Sequence, residues 1–381
     1  MIIGIDIRLI GKKRTGDEVV FFNLVKNLAR INTEHRFELF TDITDEETLR
    51  DIAKRLEIEG NERFKIIALE TPNRFAWNFW TLPQYLRKNP IDIYHTQYIT
   101  PFFVPRKIKI VTIIHDISFN FFPQFIKFSD LFFLKALIPL SLRRADRVVA
   151  VSEFTRSEII SYYGLDPKKV SVAYNAVADD FLQKANEEEI AKIRSKYNLP
   201  ERYILYIGTL QPRKNLPLLI EAFAKVRGKL PGIKLVLAGN REAHNFDKRV
   251  DEVIEKHKLE DEIIFSGYVA DEYKVAMIAG AHVFAFPSRY EGFGIPILEA
   301  MSQGVPVLAS DILPHMEVAS DACVYFQDDK LDSCANMLYN LCIDEKIRAH
   351  CSEKGMARKV LFSWQKTAHQ TIAIYDELLH N

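Results

Sequence analysis

The chain has 381 residues, 48% hydrophobic and 27% charged, with 51 lysines and arginines balancing 51 aspartates and glutamates. That length, against roughly 150 residues for a typical domain, suggests two domains or one elaborated one, and the composition excludes a disordered chain. Charge neutrality argues against the basic stripe of a nucleic-acid binder, and no run approaches the roughly 18 apolar residues of a membrane span.

The first residues carry Asp6 and Arg8 where a signal peptide is apolar, so they read as a buried strand. Apolar, β-branched runs predict strands at 1–6, 36–40, 64–69, 91–95, 108–114, 147–151 and 169–174. Helical periodicity fills the gaps at 17–31, 45–57, 75–88, 127–144 and 153–163. Thr15 and Glu18 have capping-box spacing ahead of Val20, Leu24, Leu28 and Ile31 on one face. Ser152 is placed to cap the helix at 153–163 and Gly164 to close it. From 176 to 200 the strand pattern stops, and a charged segment ending in Pro200 reads as an interdomain connection with one short helix. A second series follows, with strands at 203–207, 233–238, 262–265, 282–286, 305–309 and 322–326. Its helices lie near 215–228, 246–257, 271–280, 296–302 and 313–318, followed by 330–342 and 345–361. A last helix runs from a Ser363 cap, with Trp364, Ala368, Thr371, Tyr375 and Leu378 on one stripe. Such alternation predicts two doubly wound α/β domains, their strand carboxyl ends facing a shared cleft. The four cysteines, Cys323, Cys334, Cys342 and Cys351, form no C-x-x-C pair and read as buried thiols rather than a disulfide framework or zinc site.

Three motifs carry chemistry. Glu291-Gly-Phe-Gly-Ile-Pro-Ile-Leu-Glu299 follows a strand and opens a helix near Pro296. Gly292 and Gly294 allow close backbone approach, and the amides of Phe293, Gly294 and Ile295 point from a helix N-terminus toward phosphate oxygens. Glu291 and Glu299 bracket the turn, each suited to vicinal sugar hydroxyls; the plain alternative is a strand–turn–helix with surface glutamates. Gly208-Thr-Leu-Gln-Pro-Arg-Lys-Asn215 sets Arg213 and Lys214 at a helix mouth, with Asn215 as the expected cap, an arrangement that suits a diphosphate or is a solvated pair. No Walker loop and no G-x-G-x-x-G occurs, which argues against a nicotinamide or flavin dehydrogenase. His115-Asp116 follows the strand at 108–114; it points toward the cleft or is a hydrogen-bonded structural histidine.

Taken together, Glu291 to Glu299 with Gln303-Gly304-Val-Pro306 after them, G-T-L-Q-P-R-K-N, Ser266-Gly-Tyr268-Val, V-S-E-F-T at 151–155 and the closing F-S-W-Q-K-T-A resemble the retaining glycosyltransferases of family 4 (GT4), which have the GT-B fold. The resemblance covers the second domain almost completely and the first more thinly. It implies two Rossmann-like domains. Residues 1–175, completed by 364–381, form the acceptor side; 176–200 link it to a donor-binding domain at 201–363. It implies that Glu299 binds the nucleotide ribose, that Glu291 touches the donor sugar, and that Phe293, Gly294 and Ile295 meet sugar and phosphate. Arg213 and Lys214 would neutralise the diphosphate, His115 would lie near the transferred sugar, and Tyr268 and Val269 would flank the nucleobase.

Three positions depart from the family pattern. The glycine-paired loop after the first strand reads Gly11-Lys-Lys-Arg-Thr-Gly16, where Gly16 is the expected contact to donor or acceptor. The usual Asn-Gly near the end of the first domain is Asn175-Ala176, and Thr209 replaces a basic residue after the strand glycine, at a donor-binding position. The implied enzyme is a metal-independent hexosyltransferase that needs no cofactor beyond its nucleotide-sugar substrate, GDP- or UDP-linked, with mannose from GDP-mannose as the leading donor. Front-face departure of the diphosphate leads over Glu291 as a covalent nucleophile, because no second acid/base carboxylate is placed for that role. The expected acceptor is a glycan or lipid-linked glycan in surface polysaccharide or O-antigen assembly, and the expected location is cytoplasmic. The phenylalanines at 119, 121, 122, 125, 128, 132 and 133, with Lys127, Lys135, Arg143, Arg144 and Arg147 nearby, read as core and cleft lining. A peripheral membrane surface is the other reading. Rival functions are a non-catalytic nucleotide-sugar-binding subunit and a GT-B epimerase or phosphorylase.

Overall fold

A computed structural model describes residues 1–12, 16–126, 128–243 and 245–380. It divides into two compact units, one of residues 1–121, 126–175 and 363–381, the other of 122–125 and 176–362. The expected capping residue Thr15 and the basic residue Lys127 lie outside the described residues.

In the first unit, β1 (Ile2–Asp6), β2 (Arg36–Thr41), β3 (Phe64–Ala68), β4 (Ile93–Gln97), β5 (Lys109–Ile114), β6 (Arg147–Ala150) and β7 (Val170–Val172) form a parallel sheet in the order β3-β2-β1-β4-β5-β6-β7. Strands such as β5 are apolar along most of their length because helices cover both faces of the sheet. The helix Gly16–Arg30 buries Val20, Leu24 and Leu28. Ser152 accepts from the Thr155 amide at 2.9 Å and Gly164 closes the same helix at φ +63°, as the sequence predicts. The stretch predicted as one helix at 75–88 contains a π-helical turn, Trp77–Thr81, that buries Trp77 and leaves Trp80 exposed. The last helix, Trp364–His380, packs its predicted stripe into this unit, and the Tyr375 hydroxyl lies 2.6 Å from Nδ1 of His95. Of the phenylalanines expected to be core, Phe119 is buried, whereas Phe121 and Phe132 are exposed.

In the second unit, β8 (Arg202–Ile207), β9 (Ile233–Ala238), β10 (Ile263–Gly267), β11 (Val283–Phe286), β12 (Val307–Ser310) and β13 (Val324–Phe326) form another parallel sheet, ordered β10-β9-β8-β11-β12-β13. The helix Leu216–Val226 buries Leu216, Leu219, Ile220, Phe223 and Val226. Asn186 and Glu189 form a capping box for the helix Glu187–Lys196. All four cysteines are free and buried. Both units are Rossmann-like, and among the described residues no helix is long and apolar enough to cross a membrane.

Candidate functional site

Strand order reverses where β8 lies between β9 and β11, and ligands of open parallel sheets bind outside the strand carboxyl ends at such a point. The loop after β8 holds Arg213 and Lys214, and the loop after β11 holds Glu291. Topology therefore joins two motifs that are 77 residues apart at Lys214 and Glu291.

Arg213 donates from Nη1 to Glu291 Oε2 at 3.0 Å and to the Tyr290 carbonyl at 2.7 Å. Lys214 donates to Glu291 Oε1, and its ammonium lies 5.3 Å from the centre of the Phe286 ring. Burial works to raise the Glu291 pKa, but the charges of Lys214 and Arg213 outweigh it and hold the carboxyl well below the usual carboxylate range. Two cations against one carboxylate leave the cluster positive. Gly294 precedes the helix Ile295–Ser302 at φ +126°, a conformation that favours glycine, and Pro296 sits in the first turn. Phe293 is buried against Phe362, with ring centres 5.6 Å apart.

Glu299 lies on that helix, 5% exposed. Its Oε1 accepts from Lys274 at 2.6 Å, while Oε2 is buried with no hydrogen-bond partner among the described residues. Lys274 gives no signal in the sequence: on the helix Asp271–Ala279 it has the spacing of any solvated lysine. His315 gives none either. Its ring is fully buried, 5.1 Å from Phe286, with Nδ1 3.1 Å from the Ser310 carbonyl, and burial lowers its pKa to about 4.

The remaining expected positions are spread along the fold. Thr209 follows Gly208 after β8, and its carbonyl accepts from the Tyr206 hydroxyl at 2.8 Å. Tyr268 is exposed and Val269 buried just beyond β10. Asn215 does not cap: its side chain makes no capping bond and instead donates to Asp329 at 3.0 Å, because its backbone is left-handed at φ +55°. In the first unit Gly16 opens the helix Gly16–Arg30, and His115 follows β5, its Nε2 2.9 Å from Gln97 Oε1.

Residues 14–181 match the family model Glycosyltransferase Family 4, and residues 187–358 match Glycosyl transferases group 1. The O-antigen chain mannosyltransferase B of Escherichia coli is 29% identical over 374 residues, 93% of this chain and 94% of that protein. The O-antigen biosynthesis glycosyltransferase WclY of Escherichia coli is 26% identical, across 97% of this chain and 96% of its own. Among solved structures, a glycosyltransferase from Rickettsia africae has a TM-score of 0.76 at 20% identity, covering 100% of this chain and 98% of that one. HepE of Anabaena, in complex with UDP and glucose, has a TM-score of 0.75 at 18% identity, covering 99% and 100%. At those identities the likeness is one of fold.

Proposed function

Because this chain belongs to the group 1, family 4 glycosyltransferases, we propose that it is a retaining, metal-independent hexosyltransferase that moves mannose from GDP-mannose to a glycan or lipid-linked glycan during surface polysaccharide assembly. The observation that carries this reading is the meeting of Arg213, Lys214 and Glu291 at the carboxyl ends of β8 and β11, beside the N-terminus of the helix Ile295–Ser302. Negative charge develops on a departing diphosphate, and fixed cations with helix amides stabilise it. Glu299 supports ribose binding: Lys274 occupies one oxygen and leaves the other for a hydroxyl. The choice of mannose is supported by the near full-length relative that is an O-antigen mannosyltransferase.

The test is a panel of nucleoside diphosphates and nucleotide sugars read by thermal unfolding. GDP at a hundred times its dissociation constant should stabilise by about 2.7 kcal/mol. GDP-mannose should release GDP only when an acceptor is added, with unchanged rate in EDTA and an α-linked product by NMR. Failure of every nucleoside diphosphate to stabilise the protein would sink the reading. Exposed Trp80, Phe103 and Phe132 support peripheral contact with the membrane that carries a lipid-linked acceptor.

A further inference from the structure

Arg213 and Lys214 ride on a single 3₁₀ turn, Pro212–Lys214, that closes on Asn215. The Lys214 amide donates to the Gln211 carbonyl at 2.9 Å and the Asn215 amide to the Pro212 carbonyl at 3.2 Å. Such turns have poorer hydrogen-bond geometry than an α-helix, and two adjacent cations on one of them repel each other. Glu291 holds the two side chains, but the backbone that carries them must be fixed from elsewhere in the second unit.

Asp329, on the turn after β13, supplies that hold. Its Oδ1 accepts from Asn215 Nδ2 at 3.0 Å and from Arg289 Nε at 2.8 Å, and its Oδ2 accepts from Arg289 Nε at 3.1 Å. Arg289 lies on the loop after β11 that carries Glu291, and its amide donates to the Arg213 carbonyl at 3.0 Å. One carboxylate thus fastens the residue after Lys214 and, through Arg289, the carbonyl of Arg213. Asp329 and Asn215 are both left-handed at φ +55°, and Asp and Asn are the residue types other than glycine that visit this region most readily. The turn after β13 is anchored as well, with the Asp328 amide on Asp311 Oδ1 at 2.8 Å, just beyond β12. An exposed ion pair adds little stability by itself. Asp329 instead joins two loops that lie 114 and 40 positions away in the chain, so its role is geometric.

We propose that Asp329 is a positioning residue for the donor diphosphate, clamping the loops after β8 and β11 together so that Arg213 and Lys214 face the phosphates. This rests on the transferase reading above. Calorimetric titration of the full chain with GMP, GDP, UMP and UDP measures what the second phosphate adds to affinity. Asp329→Gly removes the carboxylate and keeps the left-handed backbone. By charge alone, loss of an anion beside the cationic turn should tighten diphosphate binding, whereas loss of the clamp should weaken it. The expected result is diphosphate binding about ten-fold weaker, the scale of one charge-assisted hydrogen bond, with monophosphate binding and circular dichroism unchanged. Asp329→Asn keeps an oxygen for Asn215 and Arg289 and suits the same backbone, so it should restore most of the affinity. Equal or tighter diphosphate binding in Asp329→Gly, an equal loss for mono- and diphosphates, or no recovery in Asp329→Asn overturns the proposal. If neither diphosphate binds the wild type more tightly than its monophosphate, the transferase reading falls instead.

Discussion

Glu291 is a buried carboxylate held by two cations, so the residues around it are sensitive to loss of either charge. Lys214→Met should lower turnover about a thousand-fold, the scale of losing one electrostatic group aimed at developing charge. Arg213 still pairs with Glu291, so circular dichroism of the variant should match the wild type; full activity would remove Lys214 from the mechanism. Burial lowers the pKa of His95 to about 3 and of His315 to about 4 from the ordinary 6.5. Below pH 6.5 the unfolded chain takes up these protons and the folded chain does not, so stability is full above that pH and falls toward pH 4. The slope should reach about 1.4 kcal/mol per pH unit for each histidine. Urea midpoints at pH 7 and pH 5 measure it, and His315→Gln should make the slope shallower.

At the scale of elements, Gly294 is the position where a single methyl group should act on backbone geometry. A Cβ there would meet Ile297 at 3.4 Å and His315 at 3.7 Å, ordinary contacts, so the penalty of Gly294→Ala comes from φ +126°. That should cost on the order of 1–2 kcal/mol and raise the KM for the donor as the helix mouth shifts. Unchanged melting temperature and KM would contradict it. The strands are legible in the sequence because covered parallel strands are apolar throughout, as β8 and β11 largely are. The π-helical turn is not, since Trp77–Thr81 keeps an apolar pattern compatible with an ordinary helix. Nor is the Lys274–Glu299 pair, which depends on packing between two helices and joins residues 25 positions apart. The left-handed backbone of Tyr98 leaves no mark that propensity can read, whereas that of Asn215 falls on a residue type that adopts it readily.

For the whole molecule, two sheets are readable from two series of alternating elements separated at 176–200, and the glutamate and arginine–lysine motifs converge through the strand order of the second sheet. What the sequence shows less directly is how strongly the first unit depends on the last helix, where Trp364, Ala368, Thr371 and Tyr375 are buried. Tyr375→Ala should destabilise that unit by about 3–5 kcal/mol, as other large-to-small core changes do. Hydrogen exchange should show the loss in β4, where His95 meets Tyr375, with β8 and β9 unaffected.

The helix Trp364–His380 belongs to the unit that contains β1. During synthesis the amino-terminal sheet must therefore wait, partly uncovered, until the ribosome has delivered the whole intervening unit. The second unit, contiguous apart from residues 122–125, has no such delay. Chaperone dependence and early proteolysis of nascent chains should accordingly fall on the half that was made first.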